Sequence, residues 1–336
     1  MIAEKIQQTQ QESWQIQLAQ AITDPAELLK VLNLPPELVM GAKKAAHLFP
    51  LRVPRGFVDR MKQGDLTDPL LRQVLPLHDE LNEISGFNSD PLGEREVNPI
   101  PGLLHKYHGR VLLIPSVTCG VNCRYCFRRE FSYEDNNLGS AGWAKALAYI
   151  QQEPTISEVI LSGGDPLVIS DRRFRALTQQ IAAIPHVKTV RIHSRMPIVL
   201  PARITTDFVS ALTDTNLRCV LVLHTNHAQE IDETVRVAIQ RVRDAKITVL
   251  NQSVLLRGVN DSAKSLIELS ERLFDMGVLP YYLHLLDKVN GAAHFDVNEK
   301  EAQKIVLEMM EKLPGYLVPK LVREAAGAAS KQQVGL

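Results

Sequence analysis

From residue 111 onward the chain alternates short β-branched apolar runs with longer amphipathic stretches, the pattern of repeated β–α units around a parallel sheet. The runs are Val111 to Val117, Glu158 to Ser162, Thr189 to His193, Cys219 to His224, Thr248 to Val254 and Tyr281 to Leu286. Helical periodicity falls between them, near 141–152, 171–184, 205–214, 228–244 and 262–276, and a further helix is expected at 297–312. This predicts an α/β fold, a partial (β/α)6 TIM-like barrel over 105–315. Residues 1–104 read differently. Helical periodicity at Trp14 to Ile22 and Pro25 to Leu32 gives way to punctuation at Pro35, Pro36, Pro50 and Pro54, so an N-terminal helical accessory region is expected to brace the barrel. Residues 316–336 form a tail that runs from apolar into small side chains.

In parallel barrels the active site gathers at the C-terminal ends of the strands. Each predicted strand here ends in polar or glycine-rich sequence. The first runs into a cysteine loop, the second into Ser162-Gly163-Gly164-Asp165 and the third into His193-Ser-Arg-Met-Pro197. The fourth ends in His224-Thr-Asn-His227, the fifth carries Asn251-Gln252-Ser253, and the sixth ends at His284 and Asp287.

The cysteine loop is the most specific signal. Cys119, Cys123 and Cys126 follow a C-x3-C-x2-C spacing with Tyr125 just before the last thiol. A [4Fe–4S] cube ordinarily takes four thiolates. Three leave one iron open to a small molecule, and the expected occupant is S-adenosylmethionine, whose reductive cleavage yields a 5′-deoxyadenosyl radical. Structural zinc prefers paired C-x2-C knuckles or Cys/His sets, and no second knuckle is present. Cys219 lies in an apolar run and reads as a core residue. The loop resembles the radical SAM superfamily signature, which makes the expected barrel a radical SAM barrel.

Other residues follow from this loop. Gly163 and Gly164 let the backbone pass close to a ligand, and Asp165 is placed to receive the ammonium of S-adenosylmethionine. Arg128, two residues past the third cysteine, offers a planar fork for a substrate carboxylate, with Arg129 the competing choice. Arg110, just before the first strand, is a candidate phosphate partner. His224 reads as polar pocket lining, and His227 as an ordinary hydrogen-bonded histidine.

Charge narrows the partners. The 38 basic and 38 acidic residues cancel, so no polycationic field points to nucleic acid. No apolar run is long enough for a membrane helix, and no signal segment is evident. A small-molecule substrate and a reducing, cytoplasmic location are expected.

The cluster loop, Ser-Gly-Gly-Asp-Pro-Leu167, His-Ser-Arg-Met-Pro197, Asn251 to Asp261 and Tyr281 to Asp287 together resemble the lysine 2,3-aminomutase family across roughly 105–331. Taken alone, Lys331 is a solvated residue near the end of the chain. The resemblance implies instead that it is the Schiff-base lysine for pyridoxal 5′-phosphate. It further implies phosphate binding at Arg110, the substrate carboxylate on Arg128, and selection of a cationic side chain by Asp287 and Glu324. Ser162, Gly163, Gly164, Asp165, His224 and Gln252 are the implied cofactor-binding residues, alongside a [4Fe–4S] cluster on the three cysteines. The implied activity is conversion of L-lysine to (R)-β-lysine, with an external electron donor. The short form resembles the bacterial branch whose product is passed to a ligase acting on elongation factor P. Two departures stand out, Glu324 in place of an aspartate and His284 in place of a tyrosine. Arginine or glutamate as substrate, or a non-catalytic iron–sulfur role, are the alternatives.

Overall fold

The structure, a computed structural model of the chain, describes residues 13–131 and 139–336. Among the described residues nine strands form one sheet in sequence order. β1 (Leu103–Tyr107) runs antiparallel to β2 (Arg110–Leu113). From β2 the sheet is parallel through β3 (Glu158–Leu161), β4 (Thr189–Ser194), β5 (Arg218–His224), β6 (Thr248–Val254), β7 (Leu279–His284) and β8 (Lys320–Arg323). β9 (Gln332–Gln333) then pairs antiparallel to β8. The expected six β–α units are present, and the tail contributes a seventh parallel strand, β8, so the partial barrel extends past residue 315.

Two boundaries differ from expectation for local reasons. The run Val111 to Val117 is a strand only as far as Leu113, because Pro115 has no amide hydrogen for the ladder and the chain turns into the cysteine loop. The helix expected at 228–244 splits into a turn at Ala228–Glu230 and a helix at Glu233–Asp244, since the Asp232 side chain accepts from the Val235 amide and caps the second piece. Similar caps start the other outer helices. Ser170, Thr205, Ser262 and Asn298 each accept a hydrogen bond from an amide three residues on, a contribution of ~1 kcal/mol apiece.

Along the early strands burial alternates, as pleating requires. Leu113, Val159, Leu161, Val190 and Ile192 are fully buried. The alternate positions Arg110, Leu112, Glu158, Ile160, Arg191 and His193 line a central cavity. The alternates thus bring Arg110, Glu158, Arg191 and His193 into a lumen they share with Leu112 and Ile160, while the intervening apolar residues build the core. That core is shared with the N-terminal segment: Trp14, Ile22, Leu28, Phe57 and Leu70 pack in the same apolar cluster as Val111, Val159 and Ile192.

Candidate active site

The lumen holds a cavity of about 660 Å³. It is lined by Cys119, Cys123, Cys126, Arg110, Ser162, Gly163, Gly164, Asp165, His224, Gln252, Arg128, Asp287, Glu324 and Lys331, so the fold gathers the candidate residues onto one space. Arg129, His227 and Cys219 do not line it. Arg110 and Glu158 open their strands, whereas the cysteines follow the end of β2, so the cavity runs the length of the sheet rather than only its C-terminal rim.

The cysteine loop is held from outside the barrel. Asn122 donates to the carbonyls of Arg52 and Pro50, both at 3.0 Å, and the Arg124 amide donates to Gln73 O at 2.9 Å. The Arg124 guanidinium makes a bidentate pair with Glu80, at 2.8 and 2.5 Å, and Arg129 reaches the same carboxylate at 2.7 Å. Both side chains of the Arg124–Glu80 pair are wholly removed from solvent. Arg129, the rival candidate for substrate binding, therefore braces the loop. A Cβ on Gly164 would sit 2.6 Å from Thr118 O, fixed backbone, so that glycine is required by close approach, whereas one on Gly120 would meet only the flexible end of Met196.

Burial, with Cys126 as the nearest charge, pushes the Cys119 thiol well up, and burial followed by Cys123 pushes Cys126 up to about 11. Buried thiols with high pKa values are inert until a metal takes their protons. Among the described residues no three His, Cys, Asp or Glu side chains converge on a single ion.

Asp165 does not present an open carboxylate. Its two oxygens accept from the Leu167 amide (2.9 Å), the Ser194 hydroxyl (2.7 Å) and the amides of Arg195 (2.8 Å) and Met196 (3.1 Å). With its four acceptor sites filled, it ties the glycine loop to the end of β4 and has no lone pair left for an ammonium, contrary to the role expected from sequence. Gly163 and Gly164 remain the ligand-facing part of that loop.

Arg128 makes a bidentate pair with Glu94, at 2.7 and 2.6 Å, and both are buried. Glu94 lies in the segment where sequence showed no chemical motif. Arg110 stacks on Tyr107 at 4.9 Å. His224 and Gln252 are register partners on β5 and β6, and their side chains hydrogen-bond across the ladder.

The β8–β9 hairpin positions another part of the lining. Val322 pairs with Gln333 and Arg323 with Gln332, which sets Glu324 opposite Lys331. The Lys331 ammonium donates to the Glu324 carboxylate, and Lys106 Nζ stands 3.8 Å from the same group. Burial alone would raise the Glu324 pKa, but Lys331 and Lys106 hold it below the ordinary value. Asp287 goes the other way, pushed up to about 7 by burial and then by Glu324. Burial also drives His224 down to about 3 and His193 and His284 well below the usual range, so all three are neutral. His193 Nε2, His284 Nε2 and Lys106 Nζ are buried without a hydrogen-bond partner, polar atoms that a bound ligand would satisfy.

Arg195 was not singled out from sequence, although its motif was. It is buried, and its Nη1 donates to Cys123 Sγ at 2.8 Å. Burial lowers its pKa, but Cys123, Tyr125 and Glu230 more than offset that and hold it above its ordinary value.

A cavity of this size, with charged, histidine and cysteine side chains from successive strands set among apolar ones, is a ligand-binding site rather than a packed barrel core. No family model matches the chain. The L-lysine 2,3-aminomutase of Escherichia coli (strain K12) is 52% identical over 326 residues, 97% of this chain and 95% of that protein. That of Haemophilus influenzae is 46% identical over 322 residues, 96% of this chain and 95% of that protein, and that of Clostridium subterminale 35% identical over 322 residues, 96% and 77%. Among solved structures, Streptococcus suis SuiB bound to S-adenosylmethionine superposes with TM-score 0.47 and 14% identity over 66% of this chain and 51% of that one. A radical SAM methyltransferase from Sphaerobacter thermophilus gives 0.45 and 16% over 67% and 71%. On its sequence relatives, the chain belongs to the L-lysine 2,3-aminomutase family and is an enzyme, an isomerase.

Proposed function

We propose that the chain is a radical SAM, pyridoxal phosphate-dependent L-lysine 2,3-aminomutase that produces (R)-β-lysine, which a ligase then transfers to elongation factor P. The supporting observation is that the three thiols line the same cavity as Lys331, Asp287 and Glu324. When bound, the cluster with S-adenosylmethionine and an external one-electron donor supplies a hydrogen-abstracting radical, and pyridoxal phosphate carries the migrating amino group.

The chain's own groups have separable roles. Cys119, Cys123 and Cys126 hold the cluster, and the Gly163–Gly164 backbone, Ser162, His224 and Gln252 border the space beside it. Lys331 is the amine that anchors pyridoxal phosphate, with Arg110 directed to its phosphate. Arg128, held by Glu94 through Nε and Nη2 and lining the cavity, receives the substrate carboxylate on its Nη1 side, which reaches Gly163 O at 3.5 Å. Asp287 and Glu324 select the ε-ammonium. An anionic side chain such as glutamate's would meet two carboxylates in a partly desolvated site, a repulsion of several kcal/mol. The Lys331 ammonium already occupies one of those carboxylates, which supports their fitness for a cation. All four cysteines are unpaired, in keeping with a reducing cytoplasm, and among the described residues no helix is long and apolar enough to cross a membrane.

The test is anaerobic reconstitution with both cofactors, borohydride reduction and peptide mapping. A phosphopyridoxyl group on Lys331, and 5′-deoxyadenosine formation that depends on added L-lysine, are expected. Modification at another lysine, or cleavage indifferent to lysine, would overturn the reading.

A further inference from the structure

The guanidinium of Arg195 joins a cluster cysteine to a buried polar network that no substrate or cofactor role accounts for. Its Nη1 donates to Cys123 Sγ at 2.8 Å and also to the Tyr125 hydroxyl. Its Nη2 donates to Gln73 Oε1 at 2.7 Å and to Glu230 Oε2 at 3.3 Å. Asn226 Nδ2 donates to Gln73 Oε1 at 2.9 Å and to the Tyr125 hydroxyl at 2.7 Å, fixing both acceptors in place. The ring faces of Phe57 and Tyr125, each 5.6 Å away, flank the cation. Its backbone amide is tied to Asp165. So many contacts leave the guanidinium one orientation, with a donor aimed at sulfur.

Glu230 pairs with the guanidinium on its other arm. Its Oε1 accepts from the Asn226 and His227 amides and from Gln73 Nε2, at 2.9, 3.1 and 3.1 Å, while Oε2 stands 3.3 Å from Arg195 Nη2. The Nη1 arm, which Glu230 does not meet, is the one that donates to the Cys123 sulfur.

Resting on the functional reading above, we propose that Arg195 is a positioning residue that raises the reduction potential of the cluster through the Cys123 sulfur. The physical reason is that reduction adds one negative charge to the cluster. An N–H donor and a fixed cation at a ligand sulfur stabilise the reduced form more than the oxidised form, and hydrogen bonds to the sulfurs are among the levers that set such potentials. The N-terminal segment takes part through Gln73, which links the accessory region to the electronics of the site.

The experiment compares the unsubstituted chain with R195Q and R195K after anaerobic reconstitution, counting iron and titrating the cluster with mediators while the reduced form is followed by electron paramagnetic resonance. Four irons per chain are expected. At one applied potential the ratio of reduced to oxidised cluster in R195Q should be at least tenfold lower, a 59 mV fall for a one-electron couple. R195K, which keeps the charge but not the fork, should fall between. A midpoint unshifted in whichever variant keeps its iron overturns the assignment. Fewer than four irons in the unsubstituted chain overturns the cluster reading and this inference together, whereas four irons with equal midpoints overturns the inference alone. A readout independent of any variant's folding is the unsubstituted chain grown with 15N-arginine. Nitrogen coupling to the reduced cluster is expected, and its absence overturns the proposal.

Discussion

Lys331 donates its ammonium hydrogen bond to Glu324 across the antiparallel β8–β9 hairpin, seven residues apart in sequence and opposed by the register of the ladder. The proposed anchor for the cofactor thus sits against a proposed receiver of the substrate ammonium, so the two cations compete for one carboxylate. On the proposed reading, holding the cofactor would draw Lys331 away from Glu324 and leave that carboxylate for the substrate.

Replacing Lys331 by alanine should abolish covalent attachment of pyridoxal phosphate and lower turnover by at least 10³-fold, a loss of ~4 kcal/mol of transition-state stabilisation. The side chain is only one-fifth exposed and is the main partner of the largely buried Glu324 carboxylate, so folding stability should fall by about 1–3 kcal/mol. Visible absorbance of the purified protein, iron content and urea unfolding check the three parts.

Asp287 must be ionised to receive an ammonium, and burial and Glu324 hold its pKa at about 7. Lysine KM should therefore rise as pH falls through about 7, tending to tenfold per unit below it. D287N should raise KM throughout and flatten that dependence. The sign for folding is opposite to that of an ordinary paired carboxylate. Between about pH 4, where an unfolded aspartate titrates, and about pH 7 the folded chain holds the extra proton, so this group subtracts stability as pH rises across that window.

Glu80 carries two buried arginines, Arg124 and Arg129, on the cysteine loop. E80Q leaves a buried cation under-compensated and should cost about 3–5 kcal/mol of stability. Chemical denaturation measures it, and iron retention should fall in parallel because Arg124 lies between Cys123 and Cys126.

Gly164→Ala places a methyl 2.6–2.8 Å from backbone atoms of Ser116 and Thr118, next to Cys119. Backbone cannot move aside as a flexible side chain can, so the glycine loop and cysteine loop must part. Weakened binding of S-adenosylmethionine by at least tenfold, read by equilibrium dialysis, is the expected result.

The β–α rhythm and the cysteine spacing were legible because both are local: a strand's period and a ligand's spacing lie within a dozen residues. What could not be read was long-range. Glu80 and Glu94 meet Arg124 and Arg128 from 44 and 34 residues away, and nothing in their neighbourhoods distinguishes them from solvated carboxylates. Asp165 reads as ligand-facing in the sequence because three of the four donors that fill its oxygens come from Ser194, Arg195 and Met196, about thirty residues on. The tail strand β8, Lys320 to Arg323, has only Leu321 and Val322 apolar between two charged residues, and it reads as a strand only once β7 is beside it. Lys331 reads as a surface residue by composition, and only the resemblance singled it out.

The most direct measurement is product analysis after anaerobic incubation of the reconstituted chain with S-adenosylmethionine, pyridoxal phosphate, a strong reductant and L-lysine, L-arginine or L-glutamate supplied singly. Formation of β-lysine, resolved as the R enantiomer on a chiral column, with the other two amino acids recovered unchanged, is the predicted result. Recovery of unchanged lysine while another amino acid is isomerised would contradict it.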